Sequence, residues 1–563
     1  MSWIGSKMSS IMSKTEAKKI IPLSIIFFCV LFNYTILRDT KDVLVVTAPK
    51  SGAEIIPFLK TYVNLPGAIS FTVLFAALSN RFSQPTLFRG IVATFLGFFS
   101  TFAFVLYPLR DAIHPNALCD ILAAALPEAF GAPIAIFRNW SFSLFYMMAE
   151  LWGSVVASLL FWGLANSIVT IPEAKRYYPL FGLFANIALI FSGQFVRYAA
   201  SLRSTPGVLV GDPWSQSLKL LIGGVLTSGV VLLAAHEWIQ RKVVNDPTCV
   251  DASQLKQARQ KSSMSIKESA VTLAKNPYVR DLATLVIGYG FAINVVEVTW
   301  KNKLKQLFTN PSDYAGFMGG FSSATGAITF LMMLVGRQVL KRFKWGVAAA
   351  IPPLTLLVSG VVFFSLVLFP SFWAPVSAFI GTTPLVLAVF AGAAQNILSK
   401  STKYSLFDPS KEIAYISMDS AEERTKGKAA VDVIGGPLGK SGSSLMQQLL
   451  ILSLGSLAAS TPYLAGLLFI IITIWFRATR SLAGRINAKN CAHAGDCAQK
   501  DTTKPREPFS TPRLLLDTTN NANPINANPI NGKAGTTSPP DHNDDEVPSS
   551  SSEDKDKTIK VAK

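Results

Sequence analysis

Apolar residues in this chain fall into blocks of about 17–25, each long enough to cross the hydrocarbon core of a bilayer as a helix, with short polar stretches between them. The spacing predicts spans over about 20–37, 58–79, 90–107, 141–165, 177–200, 219–236, 281–299, 315–338, 348–368, 378–398, 443–459 and 463–476, twelve in all. Lys and Arg gather in alternate connections: Arg81 and Arg89; Lys175 and Arg176; Arg241 to Lys275; Arg337, Lys341, Arg342 and Lys344; Lys400 to Lys428; Arg477, Arg480 and Arg485. The connections after the ninth and eleventh spans carry none. Basic residues are retained on the cytoplasmic side of a membrane, so both termini are expected there.

The long polar connection at 241–280 divides the spans into two sets of six. The expected architecture is an all-α integral membrane protein with twelve transmembrane helices in two six-helix halves, of the major-facilitator type, with another twelve-span arrangement as the alternative. In this reading 1–19 is a cytoplasmic tail, 20–240 the first half, 241–280 a central cytoplasmic loop, 281–485 the second half and 486–563 a disordered cytoplasmic tail. The last segment is rich in Asn, Pro, Ser and Thr, includes the repeat "NANPINANPI", and buries too little apolar surface to fold.

Composition supports the membrane assignment: 50% of the 563 residues are hydrophobic and only 15% are charged. The formal net charge of +18 raises the question of nucleic acid, but the basic residues are largely accounted for by topology, and no nucleic-acid partner is expected. Five scattered cysteines give no disulfide framework. The one tight cluster, Cys491, His493 and Cys497, is one ligand short of a structural zinc site, and no metal or cofactor is expected. The N-terminal stretch lacks a cleavage site after its apolar run, so the first span is read as retained, without a transit peptide.

The stretch "FNYTILRDTKDVLVV" breaks the pattern. Arg38, Asp39, Lys41 and Asp42 follow an apolar run, and apolar residues then resume. Lys60, Glu150 and Glu297 also fall within spans, and Asp419, Glu422, Glu423, Arg424, Lys426, Lys428, Asp432 and Lys440 surround the eleventh. Ionisable groups in spans either pair between helices or face an aqueous cavity. As a set they favour a cavity in which Arg38, Lys41 and Lys60 from one half meet Lys426, Lys428 and Lys440 from the other, a lining suited to a polyanion. Glu150, Glu297, Asp39 and Asp42 are the candidates for gating or coupling. Trp140, Tyr146 and Trp152, or Tyr289 and Trp300, either stack on a planar base or pack the bundle. "GGPLGKSG" lacks Walker spacing; Gly435, Gly436, Gly439 and Gly442 serve either close ligand approach or helix packing.

Four stretches, "FNYTILRDTKDVLVVTAPKSGAEIIPFLKTYVNLP", "WSFSLFYMMAELWGSVV", "RYYPLFGLFANIALIFSGQ" and "KYSLFDPSKEIAYISMDSAEERTKGKAAVDV", closely resemble the nucleotide transporter family of ATP/ADP translocases found in plastids and in obligate intracellular bacteria. The similarity covers roughly residues 15–485. It implies a twelve-helix carrier, not an enzyme, that imports a nucleoside triphosphate, most often ATP against ADP and phosphate. It implies roles for Lys60 in "FLKTY", Glu150 in "AELWGS", Glu297 in "VVEVTWK" and Lys440 in "LGKSG", with Lys426 and Lys428 as neighbours of the last. Plastid exchangers carry Cys-Asn where this chain has Gly435-Gly436, which leaves base choice open among ATP, ADP, GTP, CTP and UTP. The expected setting is a bacterial inner membrane, with the protein acting as a monomer. Proton-coupled import is the alternative mechanism. A membrane phosphotransferase is the distant one, since His114, His236, His493 and His542 lie in loops, at a span end or in the tail.

Overall fold

The computed structural model describes residues 13–202, 212–246, 249–250, 266–418, 420–431 and 435–500. Among these there is no strand. Among the described residues ten helices are long and apolar enough to cross a membrane, or eleven if one bent pair counts as a single span.

The first helix, α1 (Lys14–Val46), opens on a capping box. The Ser13 hydroxyl accepts from the Glu16 amide, and the Glu16 carboxylate accepts from the Ser13 amide at 2.7 Å, satisfying two of the amides that a helix start leaves open. The helix is 33 residues long and runs unbroken through Arg38–Asp42. The charges expected to follow the first span therefore lie inside it. Helices α2 (Ile55–Ser79), α3 (Gln84–Leu106), α4 (Asn116–Ala125), α5 (Trp140–Ile168), α6 (Ile171–Ser201) and α7 (Pro213–Val244) follow before the central connection, and the helices on either side of that connection are referred to as the first and second halves. The second half begins with α8 (Pro277–Leu307), α9 (Pro311–Arg342) and α10 (Trp345–Leu368). Next come α11 (Pro370–Phe379) and α12 (Pro384–Ile416), bent by 94° at their junction. The set closes with α13 (Ala421–Ala430), α14 (Gly436–Leu454) and α15 (Leu457–Lys500).

Three expectations need adjusting. The eleventh expected span is α14, whose most apolar stretch is less apolar than those of the ten membrane-crossing helices. Its inner face carries Ser443, Ser444, Gln447 and Gln448, all at most 3% exposed, so the polar groups face protein and not lipid. Helix α12 runs through Lys400–Phe407, a stretch whose basic residues had marked it as a cytoplasmic connection. Helix α15 continues to Lys500, so 486–500, expected in the unstructured tail, is helical. Residues 501–563, most of the central connection, Asp419, Asp432 and the side chains of Glu422, Cys491, His493 and Cys497 lie outside the described residues.

The halves meet most intimately where α6 crosses α9. A Cβ on Gly319 would lie 2.6 Å from the Gly193 carbonyl oxygen, and the Ser323 hydroxyl donates to the Ile190 carbonyl at 2.9 Å. Small residues let the two backbones approach, which is how helices associate without a hydrophobic driving force.

Candidate functional site

Between the halves lies a cavity of about 550 Å³. Helix α1 contributes Tyr34, Arg38, Lys41 and Asp42, spaced so that all four fall on one helical face. Lys60 comes from a π-helical turn in α2 (Leu59–Asn64) and Lys403 from another in α12 (Lys403–Phe407), the kind of local widening that recurs at functional sites. Tyr146 and Glu150 come from α5, Asn294, Glu297 and Lys301 from α8, Lys400 from α12 and Lys440 from α14. The lining holds seven cations (Arg38, Lys41, Lys60, Lys301, Lys400, Lys403, Lys440) and three carboxylates (Asp42, Glu150, Glu297).

Five of these groups form a chain of alternating charge. Glu150 sits 2.9 Å from Lys41, Lys41 3.0 Å from Asp42, Asp42 2.8 Å from Lys301 and Lys301 3.1 Å from Glu297. The Asp42–Lys301 link joins the two halves. It lies where the last cavity-lining residue of α1 gives way to the fully packed Val43–Val46, so the chain closes that end of the cavity. The Lys41 ammonium also stands 3.7 Å from the Tyr146 ring centroid. A second link runs beside it: Arg38 donates to Asp39 and to Ser322 of α9, and the Ser322 hydroxyl donates to Asp39 at 2.6 Å. Lys60 donates to the Asn294 side-chain oxygen across the halves, and the Asn294 amide donates to the Lys440 carbonyl and to the Ser443 and Ser444 hydroxyls. The Gln448 amide donates to the Pro57 carbonyl and the Thr61 hydroxyl at 2.9 and 2.7 Å.

Of the residues singled out from sequence, Arg38, Lys41, Asp42, Lys60, Glu150, Glu297 and Lys440 line the cavity, and Asp39 stands behind Arg38. Lys426 and Lys428 do not line it. Both are exposed on α13, and Lys428 pairs with Glu412 at 2.9 Å. Trp152 and Trp300 are fully buried, their indoles donating to the Val30 and Val389 carbonyls. Trp140 is exposed and donates to the Ile113 carbonyl. Tyr146 and Tyr289 remain at the cavity, joined by Tyr34 and Tyr404. A Cβ on Gly439 would lie 2.9 Å from the Ile287 carbonyl oxygen, and none of the four glycines lines the cavity. For Gly439, helix packing is what the geometry uses.

Sequence reasoning missed Lys301, Lys400, Lys403 and Asn294. Lys301 lies one helical turn beyond Glu297, a pairing distance on α8 that was available from spacing alone. Lys400 and Lys403 carry the signal of a loop, because basic residues usually mark cytoplasmic connections. Lys403 is held by Asp408 at 2.9 Å and stands 4.4 Å from the Tyr404 ring centroid.

Residues 6–485 match the TLC ATP/ADP transporter family. The chain is 55% identical over 473 residues to "ADP,ATP carrier protein 1, chloroplastic" of Arabidopsis thaliana, covering 84% of this chain and 74% of that one. It is 48% identical over 490 residues to "ADP,ATP carrier protein 1" of Chlamydia pneumoniae, covering 86% and 95%. Against the protein of the same name in Rickettsia typhi it is 40% identical over 474 residues, covering 83% and 93%. Among solved structures, the fold is similar to that of a bacterial homologue of the iron transporter ferroportin in an inward-facing state. The TM-score is 0.52 at 14% identity, covering 84% of this chain and 98% of that one.

Proposed function

Because the chain belongs to the TLC ATP/ADP transporter family, we propose that it exchanges ATP for ADP across a membrane through the central cavity. The observation that carries this reading is the cavity's charge. Seven cations face three carboxylates, and two of the seven, Arg38 and Lys403, are held from behind by Asp39 and Asp408. The surplus suits a polyphosphate, which Lys binds as a point charge and Arg as a fork. Lys60 and Lys440 meet the phosphates: among the described residues neither pairs with a carboxylate. Tyr34, Tyr289 and Tyr404 offer ring faces to the base.

The chain Glu150–Lys41–Asp42–Lys301–Glu297 acts as a gate. When the halves rock about the α6–α9 contact, the Asp42–Lys301 link breaks on one side of the cycle and re-forms on the other. Arg38, Lys41, Asp39 and Asp42 thus serve closure more than binding. Coupling follows from electrostatics. Closing the unloaded cavity buries cations without counter-ions, at a cost of several kcal/mol per unpaired ion. A bound nucleotide neutralises them in either orientation. Reorientation therefore requires cargo, and the nucleotide gradients alone set the direction.

The distribution of Lys and Arg supports cytoplasmic termini, which puts the closed gate on the outer side. In this reading 20–240 and 281–485 are the rocking halves, and the carrier works as a monomer in the inner membrane of an intracellular bacterium, a setting supported by relatives in Chlamydia and Rickettsia beside those of plastids. Uptake of radiolabelled ATP, GTP, CTP and UTP into bacterial cells expressing the chain tests substrate and mode together, with efflux of preloaded label then provoked by each unlabelled nucleotide. Uptake and provoked efflux confined to ATP and ADP is the expected result. Uptake without provoked efflux would overturn exchange in favour of proton-coupled import.

A further inference from the structure

We propose that Lys400 is a direct phosphate ligand of the cavity, a role that rests on the exchange reading above and adds to Lys60 and Lys440 a residue whose position in the chain resembles a loop. Its surroundings are not those of a loop. Helix α12 continues past it, and its neighbours Gln395, Asn396, Ser399, Ser401 and Thr402 are all at most 3% exposed. The polar residues of "QNILSKSTK" are thus packed inside the protein on a continuous helix, with only Lys400 and Lys403 of that run reaching the cavity. Lys400 and Lys403 lie three residues apart, on one face, and both line the cavity.

The other second-half cations near it are already engaged. Lys403 is held by Asp408 and Lys301 by Asp42 and Glu297. The charged groups nearest in influence on Lys400 include Glu297, Arg38, Lys301 and Asp39. Glu297 is bonded to Lys301, and Arg38 and Asp39 to each other. Among the described residues no carboxylate pairs with Lys400; its ammonium stands 5.1 Å from the Phe321 ring centroid. A ring face does not replace a counter-ion for a lysine inside a membrane protein, and such a group is retained where it meets an anion in an aqueous pathway. The anion of matching chemistry is the phosphate chain of the transported nucleotide.

The test uses the purified full chain in proteoliposomes loaded with ADP, comparing wild type with Lys400→Gln and Lys400→Arg. Loss of one charge-assisted hydrogen bond should raise the external ATP concentration for half-maximal exchange about tenfold or more. Inhibition by pyrophosphate, which carries phosphates and no base, should weaken by the same factor. Lys400→Arg should restore most of both. A merely structural role would lower the maximal rate and leave half-saturation and pyrophosphate inhibition where they are, and that outcome overturns the proposal while leaving exchange standing. Wild-type vesicles that exchange nothing would overturn both together.

Discussion

Replacing Asp42 with Asn probes the gate at its one link between halves. The substitution keeps the shape of the side chain and removes its charge. Two contacts change, to Lys41 at 3.0 Å and to Lys301 at 2.8 Å, but they matter differently. Lys41 is the neighbour of Asp42 on α1, so that contact survives in any orientation of the halves and cancels from the comparison. The Lys301 contact exists only when this side is closed. Hydrogen bonds to charged groups contribute about 1.5–3 kcal/mol, so the closed form should lose roughly that much relative to the open one. At about 1.4 kcal/mol per decade, the equilibrium shifts roughly 10- to 150-fold toward the open form. Ser312, only 2% exposed at the start of α9 and lining a smaller cavity beyond the gate, is a suitable reporter once changed to cysteine in a cysteine-free background. Labelling by a membrane-impermeant maleimide should accelerate at least about tenfold in Asp42→Asn. Lys301→Gln should act alike, and the double variant should add little, as expected for two sides of one contact. Equal labelling rates in all four proteins would refute the gate.

Other outcomes follow from the same geometry. Gly319→Ala places a Cβ 2.6 Å from the Gly193 oxygen and 2.7 Å from the Arg197 nitrogen, both backbone atoms, so α6 and α9 must part at a cost of about 1–3 kcal/mol; thermal unfolding in detergent should shift down and exchange should fall, and an unshifted transition would contradict the close approach. Lys60→Gln should reduce exchange at least about tenfold at equal expression, by loss of a charge-assisted bond to phosphate. Lys428→Gln, which breaks only the exposed pair with Glu412, should leave it within about twofold; the opposite ranking would move the phosphate site to α13. Gly436→Asn should fold and keep the wild-type ratio of ATP to GTP uptake, because a Cβ there meets nothing within 4 Å and the residue does not line the cavity. A changed ratio would place base reading in that turn.

Much of this fold was legible because hydropathy and block length are strong signals in a lipid solvent, where every backbone polar group must be satisfied within a helix. The same rules misled at the candidate site. Arg38–Asp42 read as the end of a span because charge is costly in a membrane, yet those charges pair with one another, with Ser322 of α9 and with Lys301 of α8. Helix α14 is less apolar than a lipid-facing span because Ser443, Ser444, Gln447 and Gln448 face other helices. Lys400 read as a loop residue because the positive-inside rule counts basic residues without knowing which way a helix presents them. Single residues at the site were legible where a carboxylate or cation interrupted an apolar run, as with Lys60, Glu150 and Glu297. Their partners were not, since Lys41–Glu150, Asp42–Lys301 and Lys60–Asn294 are fixed by the packing of helices far apart in sequence. Lys426 and Lys428 show the converse: a dense run of charge drew attention to α13, but density alone does not place a side chain in the interior.

The proposed exchange requires cargo to be bound before the halves reorient. It is tested most directly by uptake of labelled ATP into proteoliposomes of the purified chain, loaded inside with ADP or with buffer, with and without a protonophore. Uptake should be at least about tenfold faster into ADP-loaded vesicles and unaffected by the protonophore. Equal uptake into empty vesicles, or uptake abolished by the protonophore, would contradict that requirement.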